Sequence, residues 1–116
     1  MKGNKYVDSL IEFMDKSVCN FWAVQTIREM LEHNGFCELN ACDAWTVTPG
    51  GKYYVVKNHS AIFAFVVGNG DAASGFKIIS AHSDSPCFRI KPNPEMLTDG
   101  GIMKLNTEVY GGPILY

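Results

Sequence analysis

The chain has 116 residues, 47% of them hydrophobic, which is enough for one modest core and too few for two ordinary domains. Ten Lys and Arg against twelve Asp and Glu give a formal charge of -2, and the cations are scattered, so no basic patch for nucleic acid is expected. Nowhere is there an apolar run long enough to span a bilayer, and the start, Met1-Lys2-Gly3-Asn4-Lys5-Tyr6-Val7-Asp8, carries no signal-like apolar stretch, so a cytoplasmic protein without a membrane partner is expected.

Val7, Leu10, Ile11 and Met14 recur at helical spacing opposite Asp8, Glu12, Asp15 and Lys16, which predicts an amphipathic helix over residues 6–17. A second helix is predicted over residues 20–34, with Asn20 as its N-cap and Val24, Ile27, Met30 and Leu31 on its apolar face. Asn34-Gly35 should end it, because Gly takes the left-handed conformation that closes helices. His33, in the last turn, reads as a surface residue near the negative end of the helix dipole.

After Gly35 the pattern changes to strands and turns. Short strands are expected at residues 36–39 and around Trp45 and Val47, before the turn Pro49-Gly50-Gly51. Two aromatic and β-branched runs, residues 52–57 and 61–67, flank Asn58-His59-Ser60 and predict a hairpin with His59 at its solvated tip. The glycine-rich stretch from Gly68 to Gly75 lies between strands with no helix behind it, so it reads as a connection and not as a phosphate loop. Residues 76–81 are nearly all apolar and are expected to form a central strand of the sheet. Residues 88–91 should be extended before the prolines of Pro92-Asn93-Pro94, and residues 102–110 should form a last strand standing apart from the core.

Cys19, Cys37, Cys42 and Cys87 are even in number, but no secretion signal accompanies them, so reduced thiols are expected. Cys37 and Cys42 have no second ligand pair nearby and read as packing or surface residues.

The segment Ser80-Ala81-His82-Ser83-Asp84-Ser85-Pro86-Cys87 carries the chemistry. His82 and Asp84 are two residues apart, so in an extended chain both side chains point the same way. An imidazole can bind a divalent metal through one ring nitrogen while a carboxylate holds the ring. No Gly-x-Ser-x-Gly elbow supports a serine hydrolase instead.

Residues 81–92 read Ala-His-Ser-Asp-Ser-Pro-Cys-Phe-Arg-Ile-Lys-Pro and closely resemble the Ala-His-Thr-Asp-Ser-Pro-Cys-Leu-Arg-Val-Lys-Pro signature of the aspartyl aminopeptidase and aminopeptidase I family of zinc metallopeptidases. The resemblance extends to residues 10–17, to Pro49-Gly50-Gly51-Lys52-Tyr53-Tyr54-Val55, and to the run from Leu105 to Leu115, which includes Tyr110-Gly111-Gly112-Pro113. Where many members read Pro-Phe-His-Ala, this chain has Asn20-Phe21-Trp22-Ala23 and no histidine.

The resemblance implies an α/β fold in which the two N-terminal helices pack on a mixed β-sheet, forming the N-terminal part of a zinc-aminopeptidase catalytic domain. It places that part at residues 1–95 and the start of an inserted β-rich assembly domain at residues 96–116. It makes His82 a zinc ligand and Asp84 the catalytic-site carboxylate that orients or tunes it. The complete enzyme would hold two zinc ions per site and remove single N-terminal residues, acidic ones among the candidates, from peptides as a homo-oligomer. The other ligands and the general-base glutamate belong to segments beyond Tyr116, so the site here is expected to be incomplete and the chain, a truncated or engineered piece, inactive by itself. Arg89 and Lys91 could recognise an acidic side chain or simply be solvated strand residues. The alternative reading is a non-catalytic assembly module derived from such an enzyme.

Overall fold

The computed structural model describes residues 4–70 and 75–112. They form helices α1 (Lys5–Lys16) and α2 (Asn20–His33) and strands β1 (Cys37–Glu38), β2 (Lys52–Lys57), β3 (Ala61–Val66), β4 (Cys87–Leu97) and β5 (Met103–Tyr110). Two compact units result, Met1–Asp84 and Ser85–Tyr116. No described helix is long and apolar enough to cross a membrane.

In the first unit, α1 begins at Asn4, whose side-chain oxygen accepts the Tyr6 backbone N–H at 3.1 Å. That bond satisfies one of the donors left over at a helix start. The apolar stripe at Val7, Leu10, Ile11 and Met14 is present, yet no residue of α1 is buried. Asn20 is the first helical residue of α2 and not its cap; Cys19 occupies the cap position without a side-chain bond. At the other end Gly35, at φ +80, lets its own N–H reach Glu32 O and the Phe36 N–H reach Leu31 O, both at 3.0 Å. This paired closure satisfies two terminal carbonyls and needs the left-handed glycine.

The sheet is mixed, in the order β1-β2-β3: β1 runs parallel to β2, and β2 pairs antiparallel with β3. Asn58 and His59 both have positive φ (51 and 55), and the Ser60 N–H closes on Lys57 O at 3.2 Å. Such turns match the twist of hairpin strands.

Alternation sends Tyr54 to the face toward α2, where it is 0% exposed; Ala23, Val24 and Thr26 of α2 are buried as well. Its hydroxyl donates to Glu32 Oε1 at 2.6 Å and accepts from Arg28 Nε at 3.2 Å, while Arg28 also pairs with Glu38 at 2.8 Å. One phenol thus joins α2, β1 and β2. Tyr53 and Phe65, paired across the hairpin, occupy the opposite face, where Trp45 stacks on Phe65 with centroids 6.1 Å apart.

Two expected strands are absent. Trp45 and Val47 lie in irregular chain, because the Trp45 indole is held by Asn40 O at 2.7 Å and by its aromatic stack instead of by a ladder. Residues 76–81 are likewise not a central strand: Phe76, Ile78 and Ile79 are 83%, 79% and 99% exposed. A strand exists only against a hydrogen-bonded neighbour, and among the described residues none pairs with this run. The expected layout, with the 76–81 strand inside the sheet, is corrected in that respect. Of the glycine-rich connection, Asp71 to Ser74 lie outside the described residues, as do Pro113 to Tyr116 of the last motif.

The second unit is a two-stranded antiparallel ribbon of β4 and β5. β4 continues through both prolines to Leu97 instead of stopping before them. The division expected at residues 95 and 96 therefore falls inside β4, whose ladder with β5 makes residues 85–116 one unit. Gly111, at φ +102, closes the ribbon against Pro86; a Cβ there would lie 2.9 Å from Pro86 Cα.

The register places Phe88, Ile90, Leu97, Met103, Leu105 and Val109 on one face, each 56% to 78% exposed. Arg89, Lys104, Asn106 and Glu108 take the other. Soluble monomers rarely expose contiguous apolar patches larger than a few hundred Å². Together with the bare run at residues 76–79, this face predicts self-association. Light scattering at rising concentration is expected to give a mass above that of one chain, and a strictly monomeric species at high concentration would contradict it.

Candidate metal centre

The segment from Gly75 to Pro86 has no regular structure, and His82 and Asp84 both lie in it. They are brought together. His82 Nδ1 lies 2.8 Å from the Asp84 backbone carbonyl and 3.1 Å from Asp84 Oδ1. A carbonyl oxygen only accepts, so Nδ1 must carry the proton, which leaves the lone pair of the neutral ring on Nε2. The His82 side chain is 81% exposed, so Nε2 is accessible. This is the tautomer and support that metal-binding imidazoles use: one nitrogen held by oxygen, the other presented to the ion.

The donor chemistry fits one corner of a zinc site. His82 can supply Nε2 and Asp84 a carboxylate, whereas zinc takes three or four protein ligands in its usual sites. Among the described residues no group of three or more His, Cys, Asp or Glu side chains is placed to hold a metal ion. His33 ends α2 and His59 sits on the β2–β3 turn, both exposed as their sequence positions implied. The four cysteines are free, with Cys37 and Cys42 exposed. Arg89 is engaged over the Tyr110 ring, 3.5 Å from its centroid.

Sequence reasoning passed over Ser83. Its hydroxyl donates to Ser60 O at 2.9 Å and links the His82 segment to the turn after β2. The only available signal was a hydroxyl between the two functional residues, which is too common to single out.

The whole arrangement has counterparts. Residues 13–116 match the family described as Aminopeptidase I zinc metalloprotease (M18). A curated relative from Clostridium novyi, named Probable M18 family aminopeptidase 2, is 57% identical over 96% of this chain and 26% of its own length. Among solved structures, Chaetomium thermophilum mApe1 aligns with a TM-score of 0.86 at 31% identity, over 95% of this chain and 25% of that one. The S. cerevisiae mApe1 dodecamer aligns with a TM-score of 0.83 at 26% identity, over 96% of this chain and 26% of that one. The chain belongs to the M18 family of zinc metalloproteases. It spans about a quarter of the length of these relatives.

Proposed function

We propose that this chain carries the first metal-ligating segment of a zinc-dependent aminopeptidase, with His82 binding zinc through Nε2 and Asp84 holding the ring. The observation that carries the reading is the contact of His82 Nδ1 with Asp84 inside the family-matched segment. Bound zinc supplies polarisation of the scissile carbonyl and a lowered pKa for bound water. The chain's own residues do the preparatory work: Asp84 fixes the tautomer, and exposure of the His82 side chain keeps its donor atom open. The proposal includes two zinc ions per complete site, peptide substrates that lose one N-terminal residue with an acidic residue as candidate, a homo-oligomeric state and a cytoplasmic location. In it, residues 1–95 belong to the N-terminal part of the catalytic domain and residues 96–116 begin an inserted β-rich assembly domain.

With two donors, the isolated chain is expected to bind zinc weakly and not to hydrolyse peptides. Zinc titration followed through the His82 ring signals, alongside a peptide-hydrolysis assay, tests this. A ring that ignores saturating zinc would remove His82 from the ligand set.

The second reading, a non-catalytic assembly module, draws on the apolar ribbon face. The mass of the natural product separates the two: a much longer polypeptide supports the enzyme, and a stable chain ending at Tyr116 supports the module.

A further inference from the structure

We propose that Ser83 is a positioning residue that sets the tautomer of His82 by clamping the segment between His82 and Asp84 to the β2–β3 turn; its consequence for metal binding rests on the zinc reading above. Three observations converge on it. Residues 75–86 have no regular structure, and among the described residues no backbone–backbone hydrogen bond ties them to β2 or β3. The link that does exist is the part-buried Ser83 Oγ to Ser60 O bond of 2.9 Å, across 23 residues of chain. At its far end the acceptor is stiff, because Ser60 follows two residues at positive φ and its own N–H closes the turn onto Lys57 O.

Geometry then gives the clamp its effect. In an extended chain, neighbouring side chains point to opposite sides, so Ser83 can reach the hairpin while His82 and Asp84 face each other. The acceptor at 2.8 Å from Nδ1 is the backbone carbonyl of Asp84, and its position depends on the φ and ψ of both Ser83 and Asp84. Holding the middle residue narrows the positions that carbonyl can take. Without the hydroxyl the segment samples other torsions, the carbonyl turns away, and Nδ1 keeps only the longer 3.1 Å contact with Asp84 Oδ1 to hold its proton there.

The test is the ¹⁵N spectrum of the His82 ring in the 116-residue chain and in three variants. Wild type is expected to show the Nδ1–H tautomer. Ser83→Ala should raise the ratio of Nε2–H to Nδ1–H by about twofold to tenfold, the range one hydrogen bond of ordinary net strength controls. Ser83→Thr keeps the hydroxyl and should match wild type, and Ser83→Cys, a weaker donor, should fall between. Unchanged Tyr54 and β2 amide signals would show that the fold is intact. Zinc affinity should fall in Ser83→Ala, by no more than that factor, and recover in Ser83→Thr. Identical tautomer ratios in all four proteins overturn the proposal, whatever zinc does. Altered ratios in Ser83→Ala, with a wild-type ring that does not respond to zinc, would instead leave the clamp standing and remove the ligand assignment.

Discussion

Tyr54→Ala is expected to abolish cooperative unfolding of the first unit. Tyr54 is the one large side chain fully buried among the described residues, in a core otherwise made of Ala23, Val24 and Thr26. Truncating a buried aromatic costs about 3–5 kcal/mol, and total stability is about 5–15 kcal/mol for ordinary domains and less for small ones. Thermal and urea denaturation followed by circular dichroism would show a broad, early transition or none. Tyr54→Phe keeps the ring and loses the hydroxyl, so it should cost only about 1 kcal/mol, the scale of one hydrogen bond.

The same network sets the pH limits. The Tyr54 hydroxyl, and then Arg28, hold the Glu32 carboxyl below its ordinary 4.5, so its contribution is complete above that pH and is lost as pH falls through the lowered value. Burial, and then the bond to Glu32, push the Tyr54 phenol above 10.0, so its contribution is complete below 10.0 and is lost as pH rises through the raised value. A wild-type stability plateau bounded on both sides is expected, and in Tyr54→Phe the alkaline limit due to this phenol should vanish.

The second large effect concerns catalysis. In a polypeptide of family length that contains this chain, His82→Ala should lower zinc-dependent peptide hydrolysis by at least about 100-fold if the proposed metal site loses a ligand with it. Asp84→Asn should leave the fold intact and reduce turnover by about 10- to 100-fold, the range typical of groups that orient a metal-bound histidine. A zinc titration run beside the peptide assay separates lost metal from misplaced metal. Undiminished hydrolysis in His82→Ala would mean that another residue is the ligand.

Local patterns in the sequence were reliable where the structure they describe is itself local. The stripe of Val7, Leu10, Ile11 and Met14, the closure at Gly35 and the Asn58-His59-Ser60 hairpin each depend on residues a few positions apart, and all three are found as expected. The spacing of His82 and Asp84 belongs with them: two residues apart, they meet. The run at residues 76–81 failed for the opposite reason. Its composition reports fitness for a pleated surface, but pairing needs an available edge, which composition does not encode. Trp45 misled in the same way, since an indole held by Asn40 O and stacked on Phe65 looks, as a letter string, like strand content. The Ser83 link spans 23 residues and had no periodic signature at all.

The two prolines of β4 do more than interrupt it. Ile90 pairs with Thr107 and Glu95 with Leu105, so the residues from Lys91 to Pro94 stand opposite Asn106 alone. The excess is odd, and an odd excess reverses the phase of alternation. Counting by twos from Phe88 would put Leu97 among Arg89 and Lys91; the excursion returns it to the side of Phe88 and Ile90, opposite Met103. It acts as a half-period phase shifter: Phe88 and Ile90, at even positions before it, and Leu97, at an odd position after it, share one side, while Met96 falls on the other, opposite Lys104. Deleting Asn93 alone would leave every contact type in the sequence and put the two ends of β4 out of step.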